Sequence, residues 1–201
     1  MVVGPDEVLG YWYGGCDPDD AATGGAQARL WWGHDAQTDQ ELRERFGPTH
    51  AAAAQGELGA WASTPPGRLA LVLVLDQLSR NLHRDTPQAF AQDPVAQRLV
   101  GEALAQGEDR AAPLFHRVFL YMPLMHAEDL RQQERSCRLF EALRDDYEGP
   151  RRERAASHLD FAYRHRDIVA RFGRFPHRNA ILGRPSSAEE LRFLQQPGSS
   201  F

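Results

Sequence analysis

Apolar residues recur at helical spacing along most of the chain, and no turn of the Asn-Gly kind separates two alternating runs as a hairpin would need. In 93–109, "DPVAQRLVGEALAQGED", Val95, Leu99, Val100, Ala103 and Leu104 form one stripe, and Gly107 marks a stop. The stretch "PDEVLGYWYG" (5–14) opens with proline and two acids, which suits a helix N-terminus. Thr38 followed by Glu41 has capping-box spacing and predicts a helix over 38–46; Ser187 followed by Glu190 does the same for 186–195. The longest helical pattern covers 123–149, with Leu130, Cys137, Phe140 and Leu143 on one stripe, and a further helix is predicted over 151–173 after Gly149-Pro150. The pattern predicts an all-α fold of about eight or nine helices in a single domain, 1–201, with loops near 14–26, 62–67, 83–92, 107–113 and 173–186.

One apolar run is ambiguous by length. "LALVLVL" (69–75) has the composition of a buried strand, but it follows "STPPGR" and leads into a helical polar face, so a central buried helix is predicted. That polar face, "DQLSRNLHR" (76–84), places Asp76, Gln77, Arg80, Asn81 and Arg84 on one side of a regular helix. A buried helix that ends this way must satisfy its acid, arginines and amides somewhere. Either Asp76 and Arg80 pair beside solvent, or the face forms one side of a polar pocket.

Two more polar clusters follow. In "FLYMPLMHAEDLRQQ" (119–133), a helix starting near Pro123 puts His126 and Gln133 on one face and Glu128 roughly 200° away from His126. This is not the His-Glu-x-x-His spacing of a helical metal motif, and no metal site is predicted. In "ARFGRFPHRNAILGR" (170–184), Phe172 and Phe175 anchor a turn, Gly173 frees the backbone and Pro176 keeps Phe175 out of the helical region. Arg171, Arg174, His177, Arg178, Asn179 and Arg184 project from that turn as an internal ionic strut or as one wall of an anion site.

Composition narrows the choices. Charged residues are 25% and hydrophobic residues 42% of 201, as in an ordinary globular protein. All 23 basic residues are arginine, so no lysine is present to form a Schiff base. Residues 151–184 hold nine arginines against Glu153, Asp160 and Asp167, a net of +6 in a chain whose total is −5, which leaves −11 elsewhere. The overall acidity argues against a nucleic-acid partner. No apolar run approaches the roughly 18–20 residues that span a bilayer, so no membrane partner is expected. Cys16 and Cys137 lie far apart, and the start lacks a signal-peptide pattern; the expectation is a cytoplasmic protein with free thiols. No Gly-rich phosphate loop, Gly-x-Ser-x-Gly elbow or zinc spacing occurs, and no cofactor is implied. Cys137, on its apolar stripe, reads as a core thiol.

"LALVLVLDQLSRNLHRDTPQAFAQD", "FLYMPLMHAEDLRQQ" and "RFGRFPHRNAILGRPSSAEELRFL", in that order, resemble the signature segments of the bacterial family DUF924. The resemblance runs from about Val8 to Leu194 and includes "LWW" near Trp31 and the Trp61 region; Ser187 stands where the family pattern usually has threonine, and either residue can cap. It implies an all-helical, tetratricopeptide-like superhelix and no activity, so no catalytic role is carried over. It also aligns the three polar clusters with the family's motif segments. They are expected to converge on a cationic pocket made by Asp76, Arg80 and Asn81, by His126 and Gln133, and by Arg174, His177, Arg178 and Asn179. Such a pocket suits a small carboxylate or phosphate, with His126 or His177 as an acid or base near neutral pH. The alternative is a helical scaffold that holds a protein partner in a groove lined by Trp31, Trp32 and Trp61.

Overall fold

The computed structural model describes residues 1–200. Proline at the first turn, with Asp6 and Glu7 near the open N–H groups, starts α1 (Pro5–Tyr13), and Gly14 ends it at φ 60°. Two short helices follow: α2 (Thr23–Ala26), at the end of the expected 14–26 loop, and α3 (Ala28–Trp32), which carries Trp31 inward. Helix α4 (Ala36–Ala54) begins before the Thr38 capping box: Asp35 is the cap, its carboxylate accepting from the Gln37 N–H at 3.0 Å. Thr38 Oγ1 donates to that same carboxylate, so the threonine supports the cap instead of being it.

Thr64 accepts from the Gly67 N–H and, with Pro65 and Pro66, starts α5 (Pro65–Val72). Leu73–Leu78 then widen into a π-helical turn before α6 (Ser79–Leu82). Every residue from 67 to 79 is buried, so the "LALVLVL" run is the central helix that its surroundings predict. The π turn is not predicted by the apolar pattern. Widening the ladder leaves carbonyls that side chains take up: the Ser79 hydroxyl donates to the Leu75 carbonyl at 2.6 Å, and Arg80 Nη1 to the Asp76 carbonyl at 2.9 Å.

Helix α7 (Asp93–Gln106) runs to Gly107, at φ 69°, as the sequence predicts. The 123–149 pattern, expected as one helix, is two. Helix α8 (Leu114–Met125) stops at His126, and Asp129 caps α9 (Leu130–Asp145) by accepting from the Arg131 N–H at 2.8 Å. The capping carboxylate ends the continuity that the apolar stripe suggests and leaves residues 126–129 as a break. Helix α10 (Gly149–Phe172) ends at Gly173, φ 70°, and α11 (Ala188–Leu194) starts with the Ser187–Glu190 capping box. The described residues form an all-helical structure without a strand.

The central α5–α6 rod packs against α1, α4, α7 and α8, while α9 and α10 pair along their length and cover α8. Trp12, Trp31, Phe46, Phe115, Phe119, Tyr121 and Phe140 fill the interior. Trp31 is therefore core, Trp61 is half-buried, and Trp32, at 42% exposure, still stacks on Phe119. Cys137 is buried and Cys16 half-buried, both as free thiols. A small separate cluster of Ile168, Val169 and Phe175, backed by Phe172 and Phe193, pins the turn after α10. Among the described residues no helix is long and apolar enough to cross a membrane.

Candidate functional site

The π turn sets Asp76 at the end of the buried rod, where its fully buried carboxylate gathers three donors. His126 Nδ1 lies 2.7 Å from Oδ1, Gln77 Nε2 donates to Oδ2 at 2.6 Å, and Arg80 Nη1 lies 3.0 Å from Oδ1. Arg80 also grips Asp93, at the start of α7, through two bonds of 3.0 and 3.1 Å. Arg178, in the turn after α10, reaches the same Asp93 at 3.4 Å. The result is a line of alternating groups, His126–Asp76–Arg80–Asp93–Arg178, contributed by four separate segments.

Burial alone would raise the Asp76 carboxyl; Arg80 first and then His126 outweigh it and hold the acid well below its usual range. Burial, then Arg80, pushes the His126 imidazole down against the pull of Asp76, so it stays neutral near pH 7. With a carboxylate on Nδ1, the hydrogen-bond network assigns the proton to that nitrogen and a lone pair to Nε2. Among the described residues nothing hydrogen-bonds Nε2, and His126 lines a cavity of about 380 Å³.

That cavity opens between the start of α7, the break at 126–129 and the Arg178 turn. Phe90, Pro94, Ala127 and Leu182 supply apolar wall, and Asp93 and Arg178 supply charge. The Arg178 guanidinium lies 4.5 Å from the ring centres of both Phe90 and Phe175, which fixes it between two aromatic faces. Its Nε is buried without a hydrogen-bond partner. Burial first, then repulsion from Arg80, lowers its pKa to about 10, the mark of a cation whose charge is incompletely matched. Its neighbours differ. Arg174 holds Glu190 through two bonds of 2.7 and 2.9 Å, and Arg184 holds Glu128 through two of 2.6 and 2.8 Å.

The sequence clusters thus split. Asp76, Arg80, His126 and Arg178 come together, with His126 and Arg178 on the cavity and Asp76 and Arg80 behind it. Asn81 does not join them: its amide donates to Asp39 on α4 at 3.0 Å, beside Arg84. Asp76 and Asn81 stand at the two edges of the polar face, about 140° apart on a regular helix, so Asp76 meets His126 while Asn81 meets α4. Gln133 lies behind the break, its amide donating to the carbonyls of Met125 and Ala127 at 2.6 and 2.7 Å. Arg174 and Asn179 belong to a strut: Arg174 also donates to the Pro185 carbonyl, while Asn179 donates to Ser186 and accepts from Arg184. His177 packs on Phe175 at 5.6 Å, away from the cavity wall, and burial followed by Arg178 lowers its pKa to about 4.

Three residues that matter here escape the sequence reading. Asp93 looks like a cap but sits inside the first turn, after Gln92, with its carboxylate turned to two arginines. Phe90 is the aromatic plate over both Arg80 and Arg178. Glu128 accepts the Phe175 N–H at 2.8 Å as well as Arg184, and so ties the break to the turn. The Asp-Pro pair at 93–94 was the available signal for the first; the other two depend on the unpredicted break and on long-range packing. Among the described residues no group of three His, Cys, Asp or Glu side chains is arranged to hold a metal ion.

A solved structure of a protein of unknown function from Agrobacterium tumefaciens, ATU0120, is similar to this one: TM-score 0.79, 38% identity, over 95% of this chain and 96% of that one. No curated protein matches the chain in sequence. Residues 8–198 match the model of the family described as bacterial protein of unknown function, DUF924, and with that match over nearly its whole length the chain belongs to this family.

Proposed function

We propose that the chain binds a small anionic molecule, a carboxylate or a phosphate, in the cavity faced by Arg178 and His126. The observation that carries this reading is Arg178: a buried guanidinium packed against two rings, with one long ion pair and a cavity in front of it. An anion would supply the missing charge partner, and the rigid fork would take it with little loss of side-chain freedom. His126 adds a neutral nitrogen whose orientation Asp76 fixes, suited to accept a hydrogen bond or a proton from the ligand.

Thermal unfolding with acetate, phenylacetate, inorganic phosphate and citrate tests this. An anion present at about a hundred times its Kd stabilises by about 2.7 kcal/mol, or about 5–10 °C in a chain of this size. The shift should disappear in Arg178→Met, which keeps an apolar stem between the rings, and persist in Arg174→Met, which cuts only the strut. No shift with any of the four anions, or a full shift in Arg178→Met, would overturn the reading.

A further inference from the structure

Resting on the reading above, we infer that the ligand is a monocarboxylate with an apolar body, not a phosphate ester or a polycarboxylate. The charges around the cavity set the limit. Asp93, Glu128 and Asp129 all stand on its wall, and each already has a close arginine: Arg80, which Asp76 shares, Arg184 and Arg131. Arg178 is the lining cation without a close, two-pronged partner, and His126 is neutral near pH 7. One guanidinium matches one negative charge. A dianionic group would set its second charge against three carboxylates with no second cation to receive it.

The remaining wall speaks to the body of the ligand. Apart from the Gln97 amide it is made by Pro87, Phe90, Ala91, Pro94, Ala127 and Leu182, which present carbon, so a sugar or polyol with hydroxyls all round would lose water against most of it without gaining partners. An aryl or branched acyl group would instead be buried against like surface. The volume, about 380 Å³, lies near the small end for small-molecule sites. Phe90 and Phe175, each with its ring centre 4.5 Å from the guanidinium carbon, restrict the movement of that planar group, and a planar carboxylate can meet its edge with two parallel bonds.

Isothermal titration of the intact chain at pH 7 separates the alternatives, with phenylacetate, acetate, phenyl phosphate, inorganic phosphate and citrate as probes. Phenylacetate should bind about tenfold or more tighter than acetate, which lacks the body, and than phenyl phosphate, which changes only the head group. Ala91 is exposed on the cavity wall, so Ala91→Trp should weaken phenylacetate about tenfold while leaving the melting temperature unchanged. Phenyl phosphate or citrate binding tighter than phenylacetate would overturn this inference and leave the anion site standing. Acetate binding as tightly as phenylacetate would overturn the apolar body. Binding by none of the five would remove both this inference and the site on which it rests.

Discussion

Asp76 is completely buried, bonds to His126 and Gln77 and ion-pairs with Arg80 at once, which makes its charge the element the neighbouring groups share. Asparagine at this position keeps the shape and can still accept the His126 Nδ1–H. It also turns an amide toward the Gln77 amide, donor against donor, and leaves Arg80 with Asp93 as its one carboxylate partner beside the backbone carbonyl at position 76. Removing one member of a buried charge network typically costs 3–5 kcal/mol, and the residual acceptor and the surviving Asp93 pair bring the expectation for Asp76→Asn to about 2–3 kcal/mol. Urea unfolding should show a lower midpoint with an unchanged slope. A loss under about 1 kcal/mol would mean that the carboxylate charge is not what holds these groups together. Arg178 differs in kind: it sits on the cavity side of the same line of charges, and its replacement bears on ligand more than on folding.

At the scale of elements, the segment that decides the site is the π turn, and its ends depend on one small residue. Ser79 donates to the Leu75 carbonyl and lies 2.8 Å from His50 Nε2, so it satisfies a carbonyl freed by the wide turn and an imidazole on α4 together. Ser79→Ala leaves both without that partner in a dry environment, for an expected loss of about 2 kcal/mol in denaturant unfolding, and an unchanged midpoint would overturn this account. The case also shows what a sequence can convey about elements. Local chemistry was legible: Ser187 with Glu190, the proline starts, and Gly107 and Gly173 as stops all concern contacts within a few residues. The π turn was not, because "LVLDQL" carries the same apolar periodicity in either winding, and the contacts that choose between them are distant: Asp76 with His126 after α8, and Arg80 with Asp93 on α7. The break at 126–129 was hidden for a related reason, since Asp129 reads equally well as a helix-surface acid until Glu128 is seen to be drawn off by Arg184. Of the candidate site, the charged clusters and the local Asp76–Arg80 pair were visible, and the long-range pairing was not: whether an arginine is strut or ligand donor depends on which acid the fold brings to it.

Across the whole molecule, burial lowers most of the histidines, four of them furthest: His50, His158 and His177 to folded-state pKa values of about 4, and His165 to about 3. In the unfolded chain each titrates near 6.5. Between pH 6.5 and about 4 the unfolded chain therefore binds protons that the folded chain refuses, so stability is complete above pH 6.5 and falls as pH falls through this window. Each fully buried histidine contributes at most about 1.4 kcal/mol per pH unit, and His50 and His177 count for less because solvent screens them. A loss of about 4 kcal/mol between pH 6.5 and 5 is expected. Glu190, which Arg174 and the Ser187 N–H hold at about 2, adds a loss of the same sign below pH 4.5. Urea unfolding at pH 7, 6 and 5 measures the slope, and a flat profile would overturn the neutral, buried state of these rings. His158 isolates the effect. Its Nε2 is buried without a hydrogen-bond partner, and its ring packs among Trp32, Phe115 and Phe140, so phenylalanine fits its setting. His158→Phe should flatten the slope by about one proton, about 1.4 kcal/mol per pH unit, without loss of stability at pH 7. An unchanged slope in that variant would remove His158 from the groups that carry the acid sensitivity.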